Sequence, residues 1–129
     1  MTKEERQAYY QSHKAQFKEY QKRYKTQRYE YQIKYRYGIT FEEFLEKVVD
    51  QEGKCKICEK SMTFGKGRHA ACVDHNHGCC PGKRSCGKCI RGIICSSCNK
   101  LLGLSYDNIS ILKKAIVYLD GDQCLVKSD

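Results

Sequence analysis

Cys55-Lys56-Ile57-Cys58, Val73-Asp74-His75-Asn76-His77 and Cys95-Ser96-Ser97-Cys98-Asn99 follow one another along the middle of the chain. Two Cys-x-x-Cys pairs bracket an Asp-His-x-His cluster, and an asparagine directly follows the last cysteine. The x-x spacing lets two sulfurs converge on one ion, so Cys55, Cys58, Cys95 and Cys98 are expected to form a tetrahedral zinc site. Cys95 also opens an expected helix to Leu102, where N-terminal amides stabilise thiolates. A single Cys-x-x-Cys would suit a redox motif, whereas two of them around histidines favour zinc. Four sulfurs leave no open coordination position, so this zinc is expected to be structural.

The rest of the chain fits a need for such a frame. Its 129 residues are enough for one small domain and an appendage, and Tyr supplies much of the 40% hydrophobic fraction. Small domains with a thin aliphatic core usually require a metal or disulfides. The net charge of +9 implies a polyanionic partner, most simply nucleic acid. Met1-Thr2-Lys3-Glu4-Glu5 shows no apolar signal region. No run approaches the ~18 apolar residues of a membrane span. No membrane partner is therefore expected, and the cysteines are read as metal ligands in a reducing, cytoplasmic compartment.

Ala70–Val73 and Ile90–Ile94 read as strands, and the Cys95 helix follows the second one directly. Strand, loop, strand and helix make a ββα unit on whose surface Asp74, His75 and Asn99 can converge. Asp74 is a hard oxygen ligand suited to Mg²⁺ or Mn²⁺, and the Asn99 carbonyl can add a second oxygen. His75 beside such a metal can take a proton from an attacking water near neutral pH. The metal would stabilise the leaving oxygen and the phosphorane charge. His77, two residues on, could orient the scissile phosphate, as could Lys88, Arg91 and Lys100. The competing reading makes His75 and His77 extra zinc ligands or polar residues of a zinc loop.

Cys-x-x-Cys, then Val-Asp-His-Asn-His, then Ile-Arg-Gly-Ile-Ile-Cys-Ser-Ser-Cys-Asn resembles the phage recombination endonuclease VII family, within the HNH or His-Me finger nucleases. The resemblance covers about Gln51 to Leu104. It implies an α+β fold with a zinc-stabilised ββα-metal core. It also implies zinc at Cys55, Cys58, Cys95 and Cys98, a catalytic Mg²⁺ or Mn²⁺ on Asp74 and Asn99, His75 as general base and His77 as a supporting catalytic residue. Members that resolve branched DNA carry a long helical segment after the zinc core, whereas here the long helical segment precedes it.

The loop Gly78-Cys79-Cys80-Pro81-Gly82-Lys83-Arg84-Ser85-Cys86-Gly87-Lys88-Cys89 joins the strands. Cys86-x-x-Cys89 has ligand spacing, and Cys79 and Cys80 could complete a second zinc site. Adjacent cysteines are awkward partners in one tetrahedron, so His69 is an alternative fourth ligand; disulfides or free thiols are the plain reading. Lys83, Arg84 and Lys88 place positive charge on this loop, beside the expected path of DNA.

Residues 1–37 contain ten Lys or Arg, four Glu and eight Tyr, with no Gly or Pro, and are expected to form a long basic helix. Tyr10, Phe17, Tyr24 and Tyr31 recur every seven residues, with Tyr20 and Tyr35 widening the stripe. This stripe can pack on the domain or on a second copy, giving a homodimer through the N-terminal helix. Its basic face, including Lys18, Lys22, Arg23, Lys25 and Arg28, is read as a phosphate-binding arm; His13 is read as surface. After Gly38, Thr40 and Glu43 form a capping box for a short helix with Phe41, Phe44, Leu45, Val48 and Val49 on one face and Gly53 at its end. Gly103 is expected to end the Cys95 helix. A last helix capped by Asp107 or Asn108 is expected to cover the core with Ile109, Leu112, Ile116 and Leu119. Cys72 is read as a buried strand residue and Cys124 as a free thiol.

These readings divide the chain into an arm, 1–37, and a zinc-bound nuclease domain, 38–129. They predict a metal-dependent DNA endonuclease acting in a bacterial or phage-infected host cell, by nicking, double-strand or branched-DNA cleavage. The rival is a non-catalytic zinc-finger protein that binds nucleic acid, and a third reading is a redox or metal sensor built on the cysteine-rich loop.

Overall fold

Helix α4, Phe41–Asp50, supplies the largest share of the apolar cluster in this computed structural model, which describes residues 1–24, 27–63 and 65–121, the side chains of 24, 27 and 28 excepted. Thr40 caps α4 with the expected box: its hydroxyl accepts from Glu43 N–H at 3.1 Å, and Glu43 Oε2 accepts from Thr40 N–H at 2.7 Å. Phe41, Phe44, Leu45, Val48 and Val49 are all buried on one face. The helix ends at Asp50, and Gly53 N–H then bonds back to Val48 C=O at 2.9 Å from a left-handed φ of 71°.

The expected single N-terminal helix is three helices among the described residues: α1 (Lys3–Ser12), α2 (Lys14–Tyr24) and α3 (Gln27–Tyr37). No glycine or proline makes the first break. Side-chain bonds to the backbone make it at His13, whose Nδ1 lies 2.9 Å from Tyr9 C=O while the Ser12 hydroxyl donates to the same carbonyl at 2.8 Å. The His13 ring stacks on Tyr9 at 4.0 Å, so it is a half-buried cap and not a free surface group. The break resets the helical phase. Phe17 is buried as the heptad predicts, but Tyr10, Tyr31 and Tyr35 are exposed. The packing face instead carries Tyr9, Phe17 and Tyr20, then Tyr29, Ile33 and Tyr37, the last three at four-residue spacing. Ile33 is 1% exposed and joins the same cluster as Phe44 and Val48. Lys25 and Cys124, and the side chains of Tyr24 and Arg28, lie outside the described residues.

Strands β1 (Ala71–His75) and β2 (Ile90–Cys95) pair antiparallel. The outer edge of β2 is covered: Gln51 donates to Ile93 C=O at 2.7 Å and accepts from Ile93 N–H at 2.9 Å, and Lys56 N–H reaches the same carbonyl at 3.2 Å. Ile93 and Ile94 bury against α4. Pairing runs regularly from Ala71↔Cys95 to Asp74↔Gly92 and then jumps to His75↔Ile90, leaving Arg91 as an extra residue in β2. Such a bulge re-aims side chains at the end of a strand.

Helix α5 (Ser96–Leu104) follows β2, with Cys95 as its N-cap. It does not stop at Gly103; the chain turns at Tyr106 and Asp107, both in the left-handed region at φ 56° and 53°. Asn108 caps α6 (Ile109–Asp120) by accepting from Ile111 N–H at 3.1 Å. The expected core-covering role of α6 is not met. Ile109, Ile116 and Leu119 are exposed, Leu112 is half-buried and none of its residues is buried, because α2, α3 and α4 already close the apolar cluster. Among the described residues no helix is long and apolar enough to cross a membrane.

Candidate active site and metal centres

Two sets of four thiols converge. Those of Cys55, Cys58, Cys95 and Cys98 lie within 4.8 Å of one another, with Cys55, Cys95 and Cys98 buried between α4, β2 and α5. Backbone amides aim at the sulfurs: Ile57 N–H to Cys55 at 3.4 Å, Cys95 N–H to Cys55 at 3.3 Å and Cys98 N–H to Cys95 at 3.4 Å. Burial works to raise the Cys55 thiol, but the Cys58, Cys95 and Ile57 amides and the Cys58 thiol bring it down to about 7. Burial, with the neighbouring thiols, pushes Cys98 well up. Four sulfurs in this state suit a structural zinc ion, which would hold all of them as thiolates. Cys72, half-buried rather than buried, stands outside this set, its thiol raised by burial.

The second set is Cys79, Cys80, Cys86 and Cys89, again within 4.8 Å of one another. Both adjacent cysteines take part, and the alternative ligand His69 does not belong to the group. Lys88 N–H points at Cys86 Sγ at 3.4 Å, the same relation and distance as Ile57 to Cys55. With the Cys80 thiol it brings Cys86 down to about 7, whereas hydrogen bonding to Cys86 and its neighbours pushes Cys79 up to about 12. This group can also hold structural zinc.

A pocket of about 200 Å³ is lined by Val73, Asp74, His75, His77 and Asn99, with Arg36, Tyr37, Gly82 and Lys83 from α3 and the loop. Successive strand residues normally face opposite ways. The bulge at Arg91 falls between Asp74 and His75 in the ladder, and both reach this pocket. His75 is 4% exposed, and its Nε2 lies 3.0 Å from Cys80 C=O. A carbonyl only accepts, so in the neutral ring Nε2 carries the proton and Nδ1 keeps the lone pair. His77 lies just past β1, its ring 4.5 Å from that of His75, and its Nδ1 donates to Asp107 Oδ2 at 2.8 Å.

Asp74 is 6% exposed, and both its oxygens are held by Arg91, Nε to Oδ2 at 2.7 Å and a terminal nitrogen to Oδ1 at 3.1 Å. Arg91 also reaches Asp107 Oδ2 at 3.4 Å. Partial burial alone would raise the Asp107 carboxyl, but His77 and Arg91 together hold it below its ordinary value. The donors at Asp74 and Asn99, a carboxylate and an amide oxygen on one pocket, fit a hard divalent cation, and Arg91 is the positive charge on Asp74 here.

The family described as Recombination endonuclease VII matches residues 30–121, from within α3 to just past α6. The chain belongs to the recombination endonuclease VII family. It is 39% identical over 84 residues to the Gene 59 protein of Mycobacterium phage D29, covering 64% of this chain and 44% of that protein. It is 37% identical, over the same shares, to the Gene 59 protein of Mycobacterium phage L5. The chain thus spans under half the length of these curated relatives. No solved structure matches it.

Within this endonuclease VII family chain, the pocket gathers only some of the sequence-predicted basic residues. Lys83 lines the pocket, and Arg91 meets it through its ion pair with Asp74. Arg84 turns to α3, its guanidinium 4.2 Å from the centre of the Tyr35 ring and hydrogen-bonded to the Tyr35 hydroxyl. Lys88 and Lys100 are exposed outside the pocket lining. Lys18, Lys22 and Arg23 are exposed on α2, Arg23 paired with Glu19 at 2.7 Å. Reading the sequence misses Arg36, Tyr37 and Asp107 as site residues. Asp107 reads as a helix cap, and its one local peculiarity, a left-handed backbone without glycine, is visible only in three dimensions.

Proposed function

We propose that the chain is a divalent-metal-dependent DNA endonuclease of the HNH, or His-Me finger, type, with β1, β2 and α5 as a ββα-metal core. The observation that carries this reading is His75, buried at the pocket with its Nε2 tied to the Cys80 carbonyl and its Nδ1 left as a base, beside Asp74 and Asn99. Family membership supports phosphodiester hydrolysis as the reaction and DNA as the substrate.

In this mechanism, the neutral His75 takes a proton from a water through Nδ1 while the Cys80 carbonyl holds the ring and steadies the imidazolium that forms. His77, its Nδ1–H fixed on Asp107, turns Nε2 to the scissile phosphate or leaving oxygen and donates there in its imidazolium form. Lys83 and Arg36, at the pocket mouth, meet phosphate charge. Asp74 and Asn99 would hold a Mg²⁺ or Mn²⁺ ion, which would supply electrostatic stabilisation of the developing negative charge. With Asp74 so engaged, Arg91 would be free to turn to Asp107 or the DNA backbone. The frame cysteines would hold zinc that keeps β2 and α5 in place. Lys18, Lys22, Arg23, Lys88 and Lys100 extend the contact with DNA, the arm 1–37 serving the nuclease domain 38–129. The setting is the cytoplasm of a phage-infected cell, and pairing of two copies through the N-terminal helices would place two sites on one DNA.

Supercoiled plasmid incubated with the protein and Mg²⁺ or Mn²⁺ tests the reading. The native chain nicks or linearises it and His75→Ala does not. Nicking that survives His75→Ala removes His75 as the base, and no cleavage by the native chain of linear duplex, plasmid or four-way junction leaves a non-catalytic zinc-dependent binding protein.

A further inference from the structure

The cysteine-rich loop between β1 and β2 has nothing of its own to bury. From Gly78 to Lys88 it contains no aromatic residue and no aliphatic one besides Pro81, and it forms neither helix nor strand. Yet its four thiols converge, and Cys86 receives a backbone N–H from two residues on, as Cys55 does in the frame. A thiolate-bound metal is the physical agent that would hold such a loop together.

The loop is fastened to the pocket by its own ligand residues. Cys80, whose sulfur is in the cluster, offers its carbonyl to His75 Nε2 at 3.0 Å. The residue after His75 is held by three of the four: Asn76 C=O accepts from Cys79 N–H at 3.1 Å and Cys80 N–H at 3.0 Å, and Asn76 N–H donates to Cys89 C=O at 2.9 Å. The opposite side of the loop rests on α3. Ser85 N–H donates to Arg36 C=O at 2.7 Å, and the Gly38 and Gly87 backbones touch so closely that a Cβ on either would collide with the other segment.

We propose that Cys79, Cys80, Cys86 and Cys89 bind a second zinc ion whose work is to position His75, while the frame zinc holds the fold. The four thiolates form the bonds to zinc and give up their protons to solvent, with no change of redox state. Cys80 is the link, a ligand through its sulfur and the orienting acceptor for His75 through its carbonyl. The catalytic consequence rests on His75 being the base; the metal and imidazole consequences do not.

The test uses the full chain, purified under reducing conditions, and the double variant Cys86→Ser with Cys89→Ser. Zinc per chain is expected to fall from about two to about one, with urea unfolding still cooperative and α-helical signal kept. In ¹⁵N spectra of the neutral imidazole, His75 is expected to leave a single Nε2–H tautomer for a mixture. Plasmid cleavage is expected to lose about 100-fold in kcat with little change in KM, since small misplacements of a reacting group cost that much. Cys86→His, which restores a nitrogen ligand, is expected to recover the zinc and the His75 tautomer together. About one zinc in the native chain, disulfides among the loop cysteines, or an unchanged His75 signal in the double variant each overturn the proposal. So does global unfolding of the double variant, because the ion would then be holding the fold. If the native chain cuts no DNA, the reading of the activity fails while the zinc count and the imidazole spectrum still decide this one.

Discussion

Arg91 clasps Asp74 with two hydrogen bonds, at 2.7 and 3.1 Å, from the one residue of β2 that has no partner in β1. The pair is a carboxylate almost wholly inside the protein facing a guanidinium that is 40% exposed. Arg91→Met strips the charge from Asp74, and the variant is expected to lose about 2 kcal/mol in urea melts without divalent cation, a figure discounted for the solvent reaching Arg91. Millimolar Mn²⁺ is expected to return much of that loss by replacing the missing charge. A variant as weak with Mn²⁺ as without it would mean that Asp74 is no cation ligand.

Asp107 links His77 and Arg91, and its carboxyl is held below its ordinary value in the folded chain. A folded value below the unfolded one means that the unfolded chain binds more protons on acidification. The contribution is therefore fully present above the unfolded value of about 3.9 and disappears as pH falls through the lower folded value. Asp107→Asn is expected to be less stable than the native chain near neutral pH, with the gap closing in urea melts taken from about pH 6 to about pH 3. A gap that stays constant over that range would separate the effect from ionisation.

Gln51 acts as a short third strand for β2, donating to and accepting from Ile93. Its removal leaves a backbone N–H and part of a carbonyl of a fully buried residue without their partner. Gln51→Ala is expected to cost about 1–3 kcal/mol, and Gln51→Glu, which keeps the acceptor but not the donor, an intermediate amount. Equal stability of all three chains would show that water replaces the amide without loss.

The arm cannot be tested by deletion, because removing residues 1–37 also removes Phe17 and Ile33 from the core. Charge substitution avoids this. Lys18→Ala with Lys22→Ala leaves the packed face intact and is expected to weaken DNA binding and lower the salt slope by about two, one for each lost phosphate contact. A slope equal to that of the native chain would place the DNA elsewhere on the surface.

Much of the site is legible from sequence because its signals are local. A Cys-x-x-Cys spacing sets how two sulfurs meet, Thr40 and Glu43 cap a helix three residues apart, and Asp74 and His75 are neighbours. The structure departs from the sequence reading where distant parts of the chain decide. The heptad of tyrosines presumes one uninterrupted helix, and a hydrogen-bonded turn at His13 ends it. Helix α6 also carries an apolar stripe, weaker than that of α4, but the space over the core is already taken. Asp107 matters only because a turn brings it to His77 and Arg91 from another element.

The extra residue in β2 has a bearing on how this protein would respond to selection for heat resistance alone. Deleting Arg91 would let the ladder run on without interruption from Asp74↔Gly92 to the next pair, a simpler hairpin, but it would leave the Asp74 carboxylate without the guanidinium that neutralises it. Asp74 and His75 would then fall on opposite faces of the sheet, as neighbours in a regular strand do. A laboratory lineage screened only for survival at high temperature is expected to reach such a shortened strand only once Asp74 has also given way to an uncharged residue, gaining robustness as it discards its chemistry.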